Sequence, residues 1–244
     1  HGREHSFPTR RSSDLGDDSL KARLQRADVK KQIAAYMSAK LQARKLAHYS
    51  YAVVAYYKTD TTMNGKSIEA INLLLKRKHT TADEIKTVIE MMQKGGASMV
   101  FHGMSEADVQ YIMQYPFNMP ASDASIREFN KGAPHPRGYG TNARVLGKYV
   151  REEKLMPLEE AIRRMTSLPA QKFHFNNRGL LRPGFAADIV VFDANTVNDL
   201  STFTKPHQYS TGFKYVLVNG VLTVENGKHT GVRNGEVLYG EGKK

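Results

Sequence analysis

Residues 165–193, MTSLPAQKFHFNNRGLLRPGFAADIVVFD, join the end of a helix, two glycine turns and a short apolar strand in fixed order. Just upstream, Glu159, Glu160, Ile162, Met165 and Leu168 recur with helical spacing. Pro169 lacks the amide hydrogen that a further turn needs, so the helix is expected to stop there. Gly179 and the pair Pro183-Gly184 supply turns. Residues 187–192 form a short apolar run with three β-branched side chains. That run reads as a strand covered on both faces.

Downstream, Asn219-Gly220 lies between YVLV and VLTV, and Asn226-Gly227 follows soon after. Both residues of each pair tolerate positive φ, so these are hairpin signals and the chain is expected to finish as antiparallel β. Upstream, residues 142–153 and 158–168 read as helices, and residues 131–141 as a loop rich in glycine and proline. Residues 50–57, 97–102 and 117–121 read as strands. Helices are expected between them at 67–76, at 82–94 (stopped by Gly95-Gly96) and at 105–115. In the last of these Ser105 is the expected N-cap, and Glu106 and Asp108 complement the helix dipole. Strands separated by helices long enough for a crossover predict parallel neighbours in an α/β sheet.

Four further stretches carry a family likeness together with TSLPA, RG and PGFAADIVVFD: GGASMVFHGMSEADV (95–109), ASDA (121–124), PHPRGYGTNARVLGKYVRE (134–152) and PHQYSTGFKYVLVNG (206–220). Over most of the chain from Tyr51 onward they resemble the amidohydrolase superfamily, and within it the N-acyl-D-amino-acid deacylase (D-aminoacylase) branch. Two positions depart from that pattern. His174 stands where relatives more often place a glycine, and Ala124 where they usually have glycine or serine. The family resemblance implies an α/β fold: the last strands of a partial TIM (β/α)8 barrel, followed by C-terminal strands of a small β-sandwich. A closed barrel alone takes about 250 residues, so the resemblance implies a C-terminal fragment. The expected division is residues 1–15 as non-native or disordered, 16–168 as the C-terminal part of the barrel and 169–244 as the composite β-sandwich domain.

The chain has 244 residues, 36 Lys and Arg against 24 Asp and Glu, and a net charge of +12. It has no cysteine, which excludes disulfides and thiolate metal sites; the expected location is the cytoplasm. No apolar run approaches the roughly 20 residues that cross a bilayer, so no membrane partner is expected. Residues 20–46 carry eight basic side chains against one acid, Asp28, and place Leu20, Leu24, Ile33, Met37 and Leu41 on one stripe. This reads as an amphipathic helix with a basic outer face. A nucleic-acid-associated module centred there is the non-enzymatic alternative. No recognised nucleic-acid motif accompanies the segment, and its basic residues are not interleaved with aromatics, so a solvated helix is the preferred reading.

By position alone, Asp123 after a strand reads as a helix cap or a loop residue. Its match to the SD motif on the family's last barrel strand is what implies catalysis. Amide cleavage needs an acidified water and a carboxylate that moves its proton to the departing amine. The resemblance gives that role to Asp123, which in relatives can also ligate a weakly held metal, and it implies zinc as cofactor. The family's remaining ligands, a His-x-His pair, later histidines and a cysteine, cannot be placed in this chain, and its nine histidines show no short metal-ligand spacing. Arg137 is the candidate for the substrate's α-carboxylate, because guanidinium pairs with carboxylate through two parallel hydrogen bonds. His102 is expected to line a pocket or the core, and Tyr57 and Lys58 match family positions near the substrate. The implied reaction is hydrolysis of a small-molecule N-acyl-D-amino acid to a D-amino acid and a carboxylate. A cyclic-amide hydrolase of the dihydroorotase or hydantoinase type is the alternative, and the isolated polypeptide is expected to be inactive.

Overall fold

The apolar stripe of the basic segment is what the chain buries first. In the computed structural model, which describes residues 17–126, 128–131 and 134–239, the segment forms two helices, α1 (Asp17–Arg23) and α2 (Ala27–Ala43), in place of the single one expected. They part where Arg26 takes an extended backbone and its guanidinium holds Asp28 at 2.7 Å. Leu24, Met37 and Leu41 are buried, while Lys21, Lys31, Lys40 and Lys45 face solvent. The reading of residues 1–15 lies outside the described residues. The chain divides into two compact units, His1–Gly103 and Met104–Lys244.

Unit 1 continues with β1 (Ala52–Tyr56), α3 (Ile68–Leu74), α4 (Thr81–Gln93) and β2 (Ser98–Phe101). Ser67 caps α3 through the Ala70 amide at 3.1 Å, and Thr80 caps α4 through the Asp83 amide at 3.2 Å. The parallel pairing expected from strand–helix–strand order is not what forms. β1 and β2 run antiparallel, with Ala52 opposite Phe101 and Val53 opposite Val100. One helix returns a chain to the start of the strand it left, whereas two helices in succession return it to the far end. Leu24, Val54, Ile68, Ile71, Ile85 and Val88 meet in one core, each such side chain contributing about 1.5–3 kcal/mol by its removal from water.

Unit 2 opens with α5 (Glu106–Met113). Ser105 has N-cap backbone geometry, but its side chain makes no capping hydrogen bond. Residues 117–121 form no strand. The helix expected from residue 142 starts earlier, as α6 (Arg137–Arg144), and widens over Val145–Glu152 into π-helical turns, the Glu153 amide reaching the Lys148 carbonyl at 2.9 Å. Ala143 and Leu146 from this helix pack on Val197, Phe192 and Phe213, which seats it on the sheet.

α7 (Leu158–Met165) ends at Thr166, yet Pro169 does not end the helical path. It lies in the first turn of a further helix, α8 (Ser167–Lys172), where a missing amide hydrogen costs nothing. α8 closes in a Schellman arrangement: the Phe175 amide donates to the Ala170 carbonyl at 2.8 Å and His174 takes φ +58°.

The four-stranded sheet β3 (Ile189–Phe192), β4 (Phe213–Val218), β5 (Val221–Glu225) and β6 (Lys228–His229) is antiparallel throughout, as the Asn-Gly pairs predict. Asn219 and Gly220 at φ +48° and +80° join β4 to β5. β3 is not covered on both faces: Val190 and Val191, which as successive strand residues point to opposite faces, are 50% and 43% exposed. Gly212, at φ +85°, permits the loop into β4 to lie against Val197, whose Cα would be 2.3 Å from an added Cβ.

Candidate functional site

Asp123 takes a left-handed φ of +42°, uncommon for a residue with a Cβ. Its carboxylate accepts from Arg137 Nη2 at 2.8 Å, and the Asp123 side chain is 85% exposed. Arg137 is the first residue of α6, so two stretches singled out in the sequence, ASDA and PHPRGYG, meet in one ion pair. The His135 ring nitrogen Nδ1 accepts from the Arg137 amide at 3.1 Å and so steadies the turn that starts the helix. Arg137 Nε is buried and makes no hydrogen bond.

At α6 gathers an aromatic group that sequence reasoning did not assign. Phe129 stacks on Tyr209 with ring centroids 4.9 Å apart, and Tyr139 meets Tyr209 edge to face. His207 Nδ1 accepts from the Asn130 amide at 3.1 Å and lies 2.9 Å from the Tyr139 hydroxyl. The Ser210 hydroxyl donates to the Tyr139 carbonyl at 2.9 Å. PHQYSTG therefore buttresses the start of α6. The signal was present in the sequence as a second family-like stretch without a task.

Arg178, of the RG pair, joins three stretches of unit 2. It donates to Asp188 at the start of β3, to Asn219 in the β4–β5 turn at 2.8 Å, and to Glu236. These partners hold its guanidinium above the ordinary arginine value, the bond to Asp188 first among the causes. On α7, Glu160 is held down to about 2 by hydrogen bonds from Arg163 and then Arg164.

The remaining candidates lie in unit 1. Tyr57 is 2% exposed and belongs to the core, its amide bonded to the Asn64 side chain at 2.8 Å. Lys58 is exposed. His102 is exposed and follows β2, its amide bonded to the Tyr51 carbonyl at 2.8 Å.

Folding also does what spacing along the sequence did not reveal. It brings His48, Glu69, His79 and Glu84 together, with one donor atom from each within 4.8 Å of all the others. This four-residue group could hold a metal ion. Asp123 with Arg137 offers a single carboxylate already paired to a cation, whereas a catalytic zinc takes three protein ligands. Those two residues alone do not fit zinc.

Residues 86–224, more than half of the chain, match the Amidohydrolase family. The chain belongs to that family. Within it the likeness is to D-aminoacylases. The N-acyl-D-glutamate deacylase of Alcaligenes xylosoxydans xylosoxydans is 45% identical over 124 residues, which cover 51% of this chain and 25% of that protein. A crystal structure of D-aminoacylase superposes with a TM-score of 0.61 at 31% identity, covering 83% of this chain and 44% of that one. N-acyl-D-glutamate deacylase from Bordetella bronchiseptica, solved with zinc and a phosphonate mimic of the tetrahedral intermediate, gives 0.58 at 36% identity, covering 74% and 37%. The chain thus spans less than half the length of each of these relatives.

Proposed function

We propose that this chain is part of a zinc-dependent hydrolase of linear amides that splits an N-acyl-D-amino acid into a D-amino acid and a carboxylate. Asp123 is the proton carrier and Arg137 the group that receives the substrate's α-carboxylate. The observation that carries this reading is the meeting of Asp123 and Arg137 at 2.8 Å, from two family-like stretches of a chain similar to deacylases. An exposed ion pair of this kind contributes only about 0.2–1 kcal/mol. A substrate carboxylate can therefore take over the guanidinium and release Asp123 for proton transfer.

In the reaction a water oxygen adds to the amide carbon and its proton passes to Asp123. Asp123 then protonates the amide nitrogen as the C–N bond breaks, so the amine leaves neutral and the carboxylate is ready for the next water. Zinc enters the proposal through the solved relative. Asp123 supplies at most one ligand at this position, and no step is assigned to the ion. Lys58 and His102 are proposed substrate contacts on family resemblance alone; Tyr57, expected beside them, is only 2% exposed and is not proposed as one.

The same likeness supports reading residues 16–168 as the last part of a partial barrel and residues 169–244 as sandwich strands. The lack of cysteine supports a cytoplasmic location, and no described helix is long and apolar enough to cross a membrane. The sequence holds no His-x-His pair, so the purified chain with added zinc is expected to leave N-acetyl-D-amino acids intact in a turnover assay. Robust zinc-dependent turnover would overturn that part of the proposal. Cleavage of a cyclic amide with linear ones untouched would replace the linear-amide reading.

A further inference from the structure

The His48, Glu69, His79 and Glu84 group is independent of the proposed chemistry at Asp123 and is drawn from three segments of unit 1. His48 lies in the turn between α2 and β1, Glu69 in the first turn of α3, His79 just before α4, and Glu84 in the first turn of α4. His48 Nδ1 is 2.6 Å from Glu84 Oε1, and His79 Nε2 is 2.7 Å from Glu69 Oε1. The two imidazole rings stack with centroids 3.9 Å apart and planes 19° from parallel. Glu84 is fully buried.

We propose that these four side chains form a binding site for one divalent first-row transition-metal ion, zinc being the natural occupant of two imidazoles and two carboxylates. Charge is the first argument. Two carboxylates, one wholly out of water, call for two compensating positive charges. Supplying them as two imidazoliums would stack like charges face to face at 3.9 Å. One dication supplies both without that repulsion, and it coordinates neutral imidazole.

Geometry is the second argument. Tetrahedral zinc at about 2.0–2.2 Å from each donor sets the donors about 3.3–3.6 Å apart. The two close His–Glu pairs, at 2.6 and 2.7 Å, open by about 0.6–1.0 Å to reach that spacing, and the wider separations, none beyond 4.8 Å, close by up to about 1.5 Å. Binding also turns the two stacked rings so that the in-plane lone pair of each points at the ion.

The supporting hydrogen bonds are the third. Glu84 Oε2 accepts from the Tyr49 amide at 2.7 Å, which fixes the carboxylate and the residue next to His48 together. The Thr81 hydroxyl donates to the Ala47 carbonyl at 2.9 Å, tying the His48 turn to the start of α4. Asn72 Nδ2 donates to the Lys78 carbonyl at 2.8 Å and so fixes the residue before His79. Such outer partners are what hold ligands in a productive orientation. His79, with 48% of its side chain exposed, leaves an entry path from solvent.

The test is a zinc titration of the purified, untagged chain against a chromophoric chelator, with bound metal counted by elemental analysis and zinc-edge X-ray absorption. One zinc per chain is expected, with a mixed nitrogen and oxygen shell and a raised unfolding temperature for unit 1. Glu69→Gln and His79→Asn, both at positions outside the core, should each weaken binding by more than the about 10–100-fold that loss of an outer partner costs. Asp123→Asn should retain the ion. Absence of zinc from the wild-type chain, equal binding by the Glu69 and His79 variants, or loss of the ion in Asp123→Asn would each overturn the proposal.

Discussion

In unit 1 thirteen residues between Leu24 and Met91 close into one buried cluster, while unit 2 divides eight buried residues among two small clusters and leaves Phe117, Leu181, Val190 and Val191 in the open. Both units bury polar side chains with partners: in unit 1 Thr87 donates to Asn72 at 3.0 Å, and in unit 2 the Ser201 hydroxyl donates to the Pro206 carbonyl at 2.7 Å. Unit 2 carries its proposed chemistry at the surface, on Asp123. The contrast teaches that unit 1 gathers its buried apolar side chains into one core, whereas unit 2 spreads fewer of them over two small ones. That fits a chain that spans 44% of the D-aminoacylase it superposes on.

The sharpest way to break this contrast is to truncate apolar side chains in each unit. Ile71→Ala, at a position with no exposed surface, should lower the stability of unit 1 by about 2–5 kcal/mol in denaturant unfolding. A loss under 1 kcal/mol would show that the cluster is loosely packed.

A smaller effect is expected from pH in unit 2. Glu160, held down to about 2 by Arg163 and Arg164, contributes stability that is fully present above its ordinary value of 4.5. That stability is lost as pH falls through about 2. Denaturant midpoints should therefore drop across this window for the wild-type chain, and Glu160→Gln should flatten that part of the profile. An unchanged profile would remove the ion pairs from the account.

Smaller again is the relief of backbone strain. His174→Gly frees a left-handed residue at the end of α8, and allowing for the greater entropy of glycine when unfolded, unit 2 should gain about 0.5–1 kcal/mol in thermal unfolding. The smallest effect belongs to Val191→Ala on the open strand, expected within about 0.5 kcal/mol of wild type. A larger cost there would mean that the strand's outer face is already packed.

Features set by neighbouring residues were legible in the sequence. Asn219-Gly220 and Asn226-Gly227 announce their hairpins, because the turn needs positive φ at both positions. The helices at Ile68–Leu74 and Thr81–Gln93 follow from spacing, and the second from the Gly95-Gly96 stop. Features set by distant contacts were not legible. The antiparallel run of β1 and β2 depends on two helices packing as a pair, and the wide turns after Arg144 depend on Gly147 lying close to the Val197 carbonyl. Pro169 was misleading because its local rule forbids a helix interior and permits a first turn.

The candidate site divides in the same way. ASDA and PHPRGYG stood out separately, and only folding places Asp123 against Arg137. The His48 and His79 pair left no trace in spacing, since each side chain arrives from a different element.

The central claim, that Asp123 moves the proton in amide hydrolysis, is tested most directly in a graft. Residues 86–224 replace the matching segment of the solved D-aminoacylase, and kcat for an N-acetyl-D-amino acid is compared between the graft and its Asp123→Asn form. Loss of a general acid–base group should lower kcat by about 10²–10⁴-fold with little change in KM. Equal kcat in the two forms would contradict the account.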